Sequence, residues 1–257
     1  MSPSVTVNQP SLPARFILFD IDGTLIRTGG AGCRALTRAF EDLYGIPRAL
    51  EGVPLAGRTD PLIVAGVLAA AGHDTVDHAE GLEAFRQRYY AFLVEELGEG
   101  LERQRVLPGV VPLLERLGTG EGNVTALLTG NYAEGARIKL EHFGLWQHFG
   151  WGAFGEDAAD RNGLVAVALA RAAERGGPVV APARTIVVGD TPLDVACARA
   201  AGVRSIAVAT GDYDVDALSE AGADVVFETL ADTEAVLDAL DGEGRPGAWT
   251  PAGAITS

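Results

Sequence analysis

Phe16-Ile17-Leu18-Phe19-Asp20-Ile21-Asp22-Gly23-Thr24-Leu25 is the stretch on which the fold turns. Its four successive apolar residues are too few for a buried helix. Their abrupt end in acid and glycine predicts a strand hidden on both faces of a parallel sheet. Asp20 and Asp22 stand two apart, so while the backbone stays extended their side chains leave on the same side. Two carboxylates crowded at a strand's end repel one another and lose solvation, which stabilises nothing unless a cation or a proton lies between them. A functional role is the better reason for the pair. Gly23 permits a tight exit, and the Thr24 hydroxyl can bond the turn backbone or a ligand oxygen.

Working outward, Arg27-Thr28-Gly29-Gly30-Ala31-Gly32 is a glycine-rich joint after which the hydrophobic period changes. Ala35, Leu36, Ala39, Phe40 and Leu43 recur at helical spacing, closed by Gly45 and Pro47. Asp60 reads as an N-cap with Pro61 at the first helical position, opening a helix through Leu62, Ile63, Val67 and Leu68. A third helix, over about 78–97, sets Leu82, Phe85, Tyr89, Phe92, Leu93 and Leu97 on one stripe. No strand pattern interrupts these helices between Thr28 and Arg105. From Val106 strands and helices alternate: Pro108-Gly109 opens a helix, and strand patterns follow at 124–129, 151–154, 185–188, 205–208 and 224–227. Helical patterns at 132–143, 162–175, 192–201 and 215–221 separate them.

Repeated strand-helix-strand units predict an α/β fold, a doubly wound (Rossmann-like) parallel sheet core with an inserted all-helical domain. The expected core is 14–27 together with 106–240, the helical insertion is 28–105, and 1–13 and 241–257 read as flexible termini rich in Pro, Ser and Gly.

A chain of 257 residues with 47% hydrophobic content can bury a large core and is not disordered as a whole. Its formal charge of −15 argues against a nucleic-acid partner, and any phosphate site must bring its own cation. Cys33 and Cys197 offer at most one bridge, which fits a reducing, cytoplasmic setting. The first residues lack the basic and apolar regions of a secretory signal, and no apolar run reaches membrane length, so no membrane partner is expected. Lys139 is the only lysine, a compositional oddity that arginine-rich usage accounts for. The four histidines form no metal spacing.

In a doubly wound sheet ligands sit beyond the carboxyl ends of the strands. Three such ends are polar here: Asp20 to Thr24, Thr129-Gly130-Asn131, and Gly189-Asp190-Thr191-Pro192-Leu193-Asp194. Converging at one rim they bring Asp20, Asp22, Asp190 and Asp194 together, an all-carboxylate set suited to Mg²⁺ rather than zinc. At the middle corner Gly130 allows a close backbone approach and Asn131 can cap the next helix, whose free N–H groups would face an anion. With the Thr129 hydroxyl as donor, that corner suits phosphoryl oxygens.

These three motifs, in this order, resemble those of the haloacid dehalogenase superfamily of hydrolases, in its phosphatase branch with a helical cap, and within that branch phosphoglycolate phosphatases. The resemblance spans roughly residues 15–230: 19–25 match the first motif, 127–131 the second and 189–194 the fourth. It implies a Mg²⁺-dependent phosphatase acting on a small phosphorylated metabolite. Asp20 falls on the family's nucleophile and Asp22 on its general acid/base. Asp190 falls on a metal ligand, with Asp194 in the outer metal shell and Asp22 offering its backbone carbonyl. Gly23, Thr24, Gly130 and Asn131 line the phosphate site beside Thr129. The inserted helices occupy the place of the cap, where Arg58 in Gly57-Arg58-Thr59-Asp60 is positioned to meet a substrate carboxylate or second phosphate.

The third motif departs from the family pattern. The usual lysine is missing, and Asp160-Arg161-Asn162-Gly163 stands there, so Arg161 is the expected phosphate cation, held as a planar fork. Lys139 is its rival, although Ile138-Lys139-Leu140 also suits a lysine that snorkels from a helix. A phosphomutase of the same family and a non-catalytic phosphate-sensing regulator are the alternatives, in a monomer or a homodimer. Carbon–halogen hydrolysis is disfavoured because it has no use for Asp22.

Overall fold

The computed structural model describes residues 15–73, 79–120, 123–175 and 182–242. The expected leader at 1–13, most of the expected tail and the start of the third predicted helix at His78 lie outside them.

Strand β1 (Arg15–Phe19) is buried along its whole length. Its side chains divide by the two-residue period of a strand: Ile17 and Phe19 enter one hydrophobic cluster, Phe16 and Leu18 another. Both faces of the sheet are therefore covered, which is why the run is continuously apolar. With β4 (Asn123–Leu128), β5 (Gly152–Ala153), β6 (Thr185–Gly189), β7 (Arg204–Val208) and β8 (Val225–Phe227) it forms a six-stranded sheet in the order β5-β4-β1-β6-β7-β8. Every pairing in it is parallel. The α/β fold expected from the sequence is the fold observed.

On the Ile17 face pack α4 (Val110–Thr119), α5 (Ala133–His142) and α9 (Thr233–Asp241). On the Phe16 face pack α6 (Leu164–Glu174) and α7 (Pro192–Ala200). The short α8 (Val215–Glu220) closes a small cluster of its own through Leu218. Strand register gathers the polar exits. Phe19 is level with Leu127 of β4 and Val188 of β6, so the residues after all three strands leave the sheet at one rim. β1 is also where the chain order reverses, the crevice in which such sheets bind ligands.

Between β1 and α4 lie α1 (Ala31–Tyr44), α2 (Asp60–Ala70) and α3 (Ala79–Gly98), whose apolar stripes meet around Phe40, Phe85 and Tyr89. That cluster also takes in Tyr132, at the head of α5. Gly45 ends α1 with a φ of 65°, a left-handed conformation that glycine adopts without strain.

Two elements escape the sequence reading. The helical segment is entered and left through an antiparallel ribbon, β2 (Ile26–Thr28) with β3 (Gln104–Val106), whose three-residue strands are too short to show alternation. Helix α9 covers 233–241 and is capped by the Asp232 carboxylate. Asp241, expected in the loose tail, ends that helix and pairs with Arg15. Leu43 and Leu62, on predicted apolar stripes, are exposed. No helix among the described residues is long and apolar enough to cross a membrane.

Candidate active site

Asp20 is the first residue beyond β1. Its N–H still donates to the Val188 carbonyl at 2.9 Å, which fixes the residue to the sheet, and it is buried. The chain then turns back on itself, with Gly23 N–H donating to Ile26 O and Leu25 N–H to Ile21 O, both at 2.9 Å. Gly23 has a φ of 84°, and a Cβ there would overlap the Asp190 carboxylate. The Thr24 hydroxyl donates to Asp190 Oδ1 at 3.1 Å. Asp190 leaves the end of β6, and Asp194 sits in the first turn of α7, where its carboxylate accepts from the Thr191 N–H at 3.1 Å and hydroxyl at 2.7 Å.

Asp20, Asp190 and Asp194 offer carboxylate oxygens within 4.8 Å of one another, all three residues buried. The Arg161 Nη2 pairs with Asp20 at 3.0 Å and with Asp194. Arg161 reaches them from a single 3₁₀ turn whose N-cap, Asp160, accepts from the N–H groups of Asn162 and Gly163. One guanidinium thus faces two carboxylates, while Asp190 has a hydroxyl and no cation at bonding distance among the described residues. Burial pushes the Asp20 carboxyl up to about 6, with Arg161 opposing and Asp194 adding to the rise. Burial, then Asp20 and Asp194, hold Asp190 well above the carboxylate range. An excess of buried negative charge, carried by hard oxygen donors alone, fits a divalent cation of the Mg²⁺ kind. The Asp22 carboxylate is not in this cluster.

Asp22 belongs to a second arrangement. Lys139 Nζ, projecting from α5, donates to Asp22 Oδ2 and to Asn131 Oδ1, each at 2.6 Å. The Asn131 amide donates to the same Asp22 Oδ2 at 2.9 Å and to Thr129 Oγ1 at 2.8 Å. Lys139 is buried, so it does not snorkel. Burial alone would lower its pKa, but Asp22 and Asp60 together raise it and keep it charged.

Two expectations at the Thr129 corner are corrected. Asn131 does not cap α5; its amide is committed to Asp22, Thr129 and Lys139. The N–H groups at the head of α5 are not free to face a ligand anion, because carboxylates of the chain itself take them. Tyr132 N–H donates to Asp60 Oδ2 at 2.9 Å, and Ala133 N–H to the Glu156 carboxylate. The close approach at Gly130 is made by the helical segment's own backbone, since a Cβ there would overlap the Arg58 carbonyl. Asp60 in turn does not cap its own helix. The N-cap of α2 is Thr59, without a side-chain bond, and Asp60 crosses to α5 while its N–H donates to Gly130 O at 2.7 Å. Burial holds the Asp60 carboxyl up at about 6, against the pull of Lys139 and the Tyr132 N–H.

These groups line a cavity of about 690 Å³ between the sheet rim and the helices, within the range of small-molecule sites. Its floor holds Asp20, Asp22, Thr129, Lys139, Arg161 and Asp190; its roof includes Leu36, Leu55, Arg58, Ile63 and Tyr89. Arg58 is exposed at the rim, while its loop is pinned by Arg161 Nη1 donating to Gly57 O at 3.1 Å. Every predicted site residue except Thr24 and Asp194 borders the cavity, and those two touch Asp190, Thr191 or Arg161 beneath it. Sequence reasoning missed Asp60 and Glu156 as acceptors for α5, because contacts spanning 72 and 23 residues leave no local pattern.

Residues 17–199 match the family described as haloacid dehalogenase-like hydrolase. The chain is 31% identical over 217 residues to a phosphoglycolate phosphatase of Rhodospirillum rubrum, covering 84% of this chain and 87% of that protein. It is 29% identical over 234 residues to "Probable phosphatase IndB" of Dickeya dadantii, covering 87% and 94%. Among solved structures, CbbY of Rhodobacter sphaeroides in complex with phosphate superposes with a TM-score of 0.65 at 22% identity, covering 85% of this chain and 96% of that one, a likeness of fold.

Proposed function

Because the chain belongs to the haloacid dehalogenase-like hydrolase family, we propose that it is a Mg²⁺-dependent phosphatase that hydrolyses a small phosphate monoester through an aspartyl phosphate on Asp20. The observation that carries this reading is the division of the paired acids. Asp20 lies buried against Arg161 and the Asp190–Asp194 cluster, and Asp22 is turned away toward Lys139 and Asn131. A nucleophile and an acid/base need such different surroundings. The phosphoglycolate phosphatases among the relatives support the same class of substrate.

In the proposed cycle the Asp20 carboxylate attacks phosphorus in line, and the bond from phosphorus to the ester oxygen breaks. Asp22 gives its proton to the departing alkoxide. Lys139 and Asn131 both bond Oδ2 of that carboxylate, so Oδ1 is the oxygen placed for the transfer. Asp22 then takes a proton from the water that attacks the aspartyl phosphate, which releases phosphate and restores Asp20. Arg161 steadies Asp20 and presents its fork to phosphoryl oxygens, and the Thr129 hydroxyl, already accepting from Asn131, donates to another. Asp20, the Asp22 carbonyl and Asp190 would hold the cation, which when bound offsets the charge of a dianionic ester. Asp194 orients Arg161 and the turn after β6. The helical segment 28–105 acts as the cap, with Arg58 reading a second anionic group at the rim.

A panel of phosphate monoesters including phosphoglycolate and p-nitrophenyl phosphate, assayed with Mg²⁺ and with chelator, tests this reading beside Asp20→Asn. Turnover that needs the metal and drops by roughly 10⁴ or more in Asp20→Asn is expected. Full activity in Asp20→Asn overturns the mechanism, and activity only with a bisphosphate activator points to a phosphomutase.

A further inference from the structure

Asp190 Oδ2 lies in a slot with no side chain on either wall. A Cβ added to Gly23, in the turn after β1, would overlap it, and so would one added to Gly211, in the loop after β7. The two walls are tied together, because the Thr210 hydroxyl donates to the Gly23 carbonyl at 2.5 Å. A third group fastens them. Arg27, in β2, donates to the Thr210 carbonyl through Nε at 3.0 Å and Nη2 at 2.5 Å, and to the Gly211 carbonyl through Nη2 at 2.7 Å. Arg27 pairs with no carboxylate among the described residues, so it works as a clasp on main chain and not as a counter-charge. A planar fork with fixed donors suits that task better than an ammonium.

Resting on the metal-dependent reading above, we propose that Arg27 is a positioning residue for the divalent cation: it holds Thr210 and Gly211 against Asp190 and so fixes the carboxylate that binds the metal. Groups that bond a metal ligand from behind set its orientation, and their loss weakens metal affinity by about 10–100-fold; Arg27 acts through Thr210 and Gly211, so the lower end of that range applies to it. Arg27 also stands in the strand through which the chain enters the helical segment, level with Arg105 of β3. The clasp therefore joins that ribbon to the metal ligand.

Calorimetric titration of Mg²⁺ into the metal-free full chain, with Mn²⁺ binding by electron paramagnetic resonance as a second readout, tests the assignment. Arg27→Met is expected to raise the Mg²⁺ Kd about tenfold or more, with Arg27→Lys in between because a point donor reaches only one carbonyl. The rise in Tm on adding Mg²⁺ shrinks in the same order, and melting of the metal-free proteins shows that each variant is folded. Arg27→Gln, which shortens the side chain and removes the fork, keeps the test open should Arg27→Met fail to fold, and it too is expected to weaken Mg²⁺. A folded Arg27→Met, or in its absence Arg27→Gln, that binds Mg²⁺ within about twofold of the parent chain overturns the role of Arg27 while leaving the phosphatase reading intact. A parent chain that binds neither Mg²⁺ nor Mn²⁺ overturns both.

Discussion

Arg161 and Lys139 each hold one acid of the Asp20–Asp22 pair, and they do so in different ways. Arg161 is buried between Asp20 and Asp194, and its second nitrogen reaches the Gly57 carbonyl of the helical segment. Lys139 meets one oxygen of an acid whose side chain is still 42% exposed, and shares it with Asn131. The first is a rigid fork among charges removed from water; the second is a point charge at the cavity wall. In the sequence the two cations look like rivals for one position. In the fold they serve separate acids, and both line the one cavity of a chain whose overall charge is −15.

The two cations should differ most in turnover. Arg161→Met is expected to lower kcat/KM by roughly 10²–10³, the loss of a donor aimed at developing charge. Lys139→Met should fall less, by about tenfold to a hundredfold and mainly in kcat, since Asp22 keeps Asn131. Initial rates over a range of substrate concentrations separate the two, and equal losses that do not add in the double variant would merge them into one unit.

They should differ next in stability without metal. Removing Arg161 leaves Asp20 and Asp194 buried and unpaired, which costs about 3–5 kcal/mol, read as a lower urea midpoint. Lys139→Met costs less, because water reaches Asp22. Mg²⁺ should return part of the loss in Arg161→Met and little in Lys139→Met.

The smallest expected effect concerns Asp60, which adds to the positive shift of Lys139. Its folded pKa, raised from 3.8 to about 6, means that the folded chain holds a proton the unfolded chain releases in that interval. Asp60 is therefore most favourable to folding below the lower value, and that advantage is lost as pH rises through the upper one. Asp60→Asn, which still accepts from Tyr132, should be more stable than the parent by about 1–3 kcal/mol at neutral pH and indistinguishable from it in acid. Urea melts across that range check it.

Much of this was legible in the sequence. The buried run ending in Asp20, the turn at Gly23 and the polar exits at Thr129 and Asp190 follow from hydrophobic period and turn chemistry, which act over a few residues. The resemblance of three ordered motifs supplied roles for them. What misled were side chains whose partners lie far along the chain. Asp60 followed by Pro61 has the local form of an N-cap, yet its carboxylate serves α5, 72 residues on. Asn131 has the form of a cap and serves Asp22, 109 residues back. The β2–β3 ribbon was invisible because three residues are too few to show a period.

By itself, then, the sequence determined that β1 is buried on both faces, that acids stand at its end, and that helices interrupt the α/β alternation, since burial and turn formation are set by near neighbours. Only the tertiary structure decided which cation meets which acid. That choice depends on α5 packing on the Ile17 face of the sheet and α6 on the Phe16 face, so that Lys139 reaches Asp22 from one helix and Arg161 reaches Asp20 from the turn before the other, and on burial strong enough to make each misplaced charge costly.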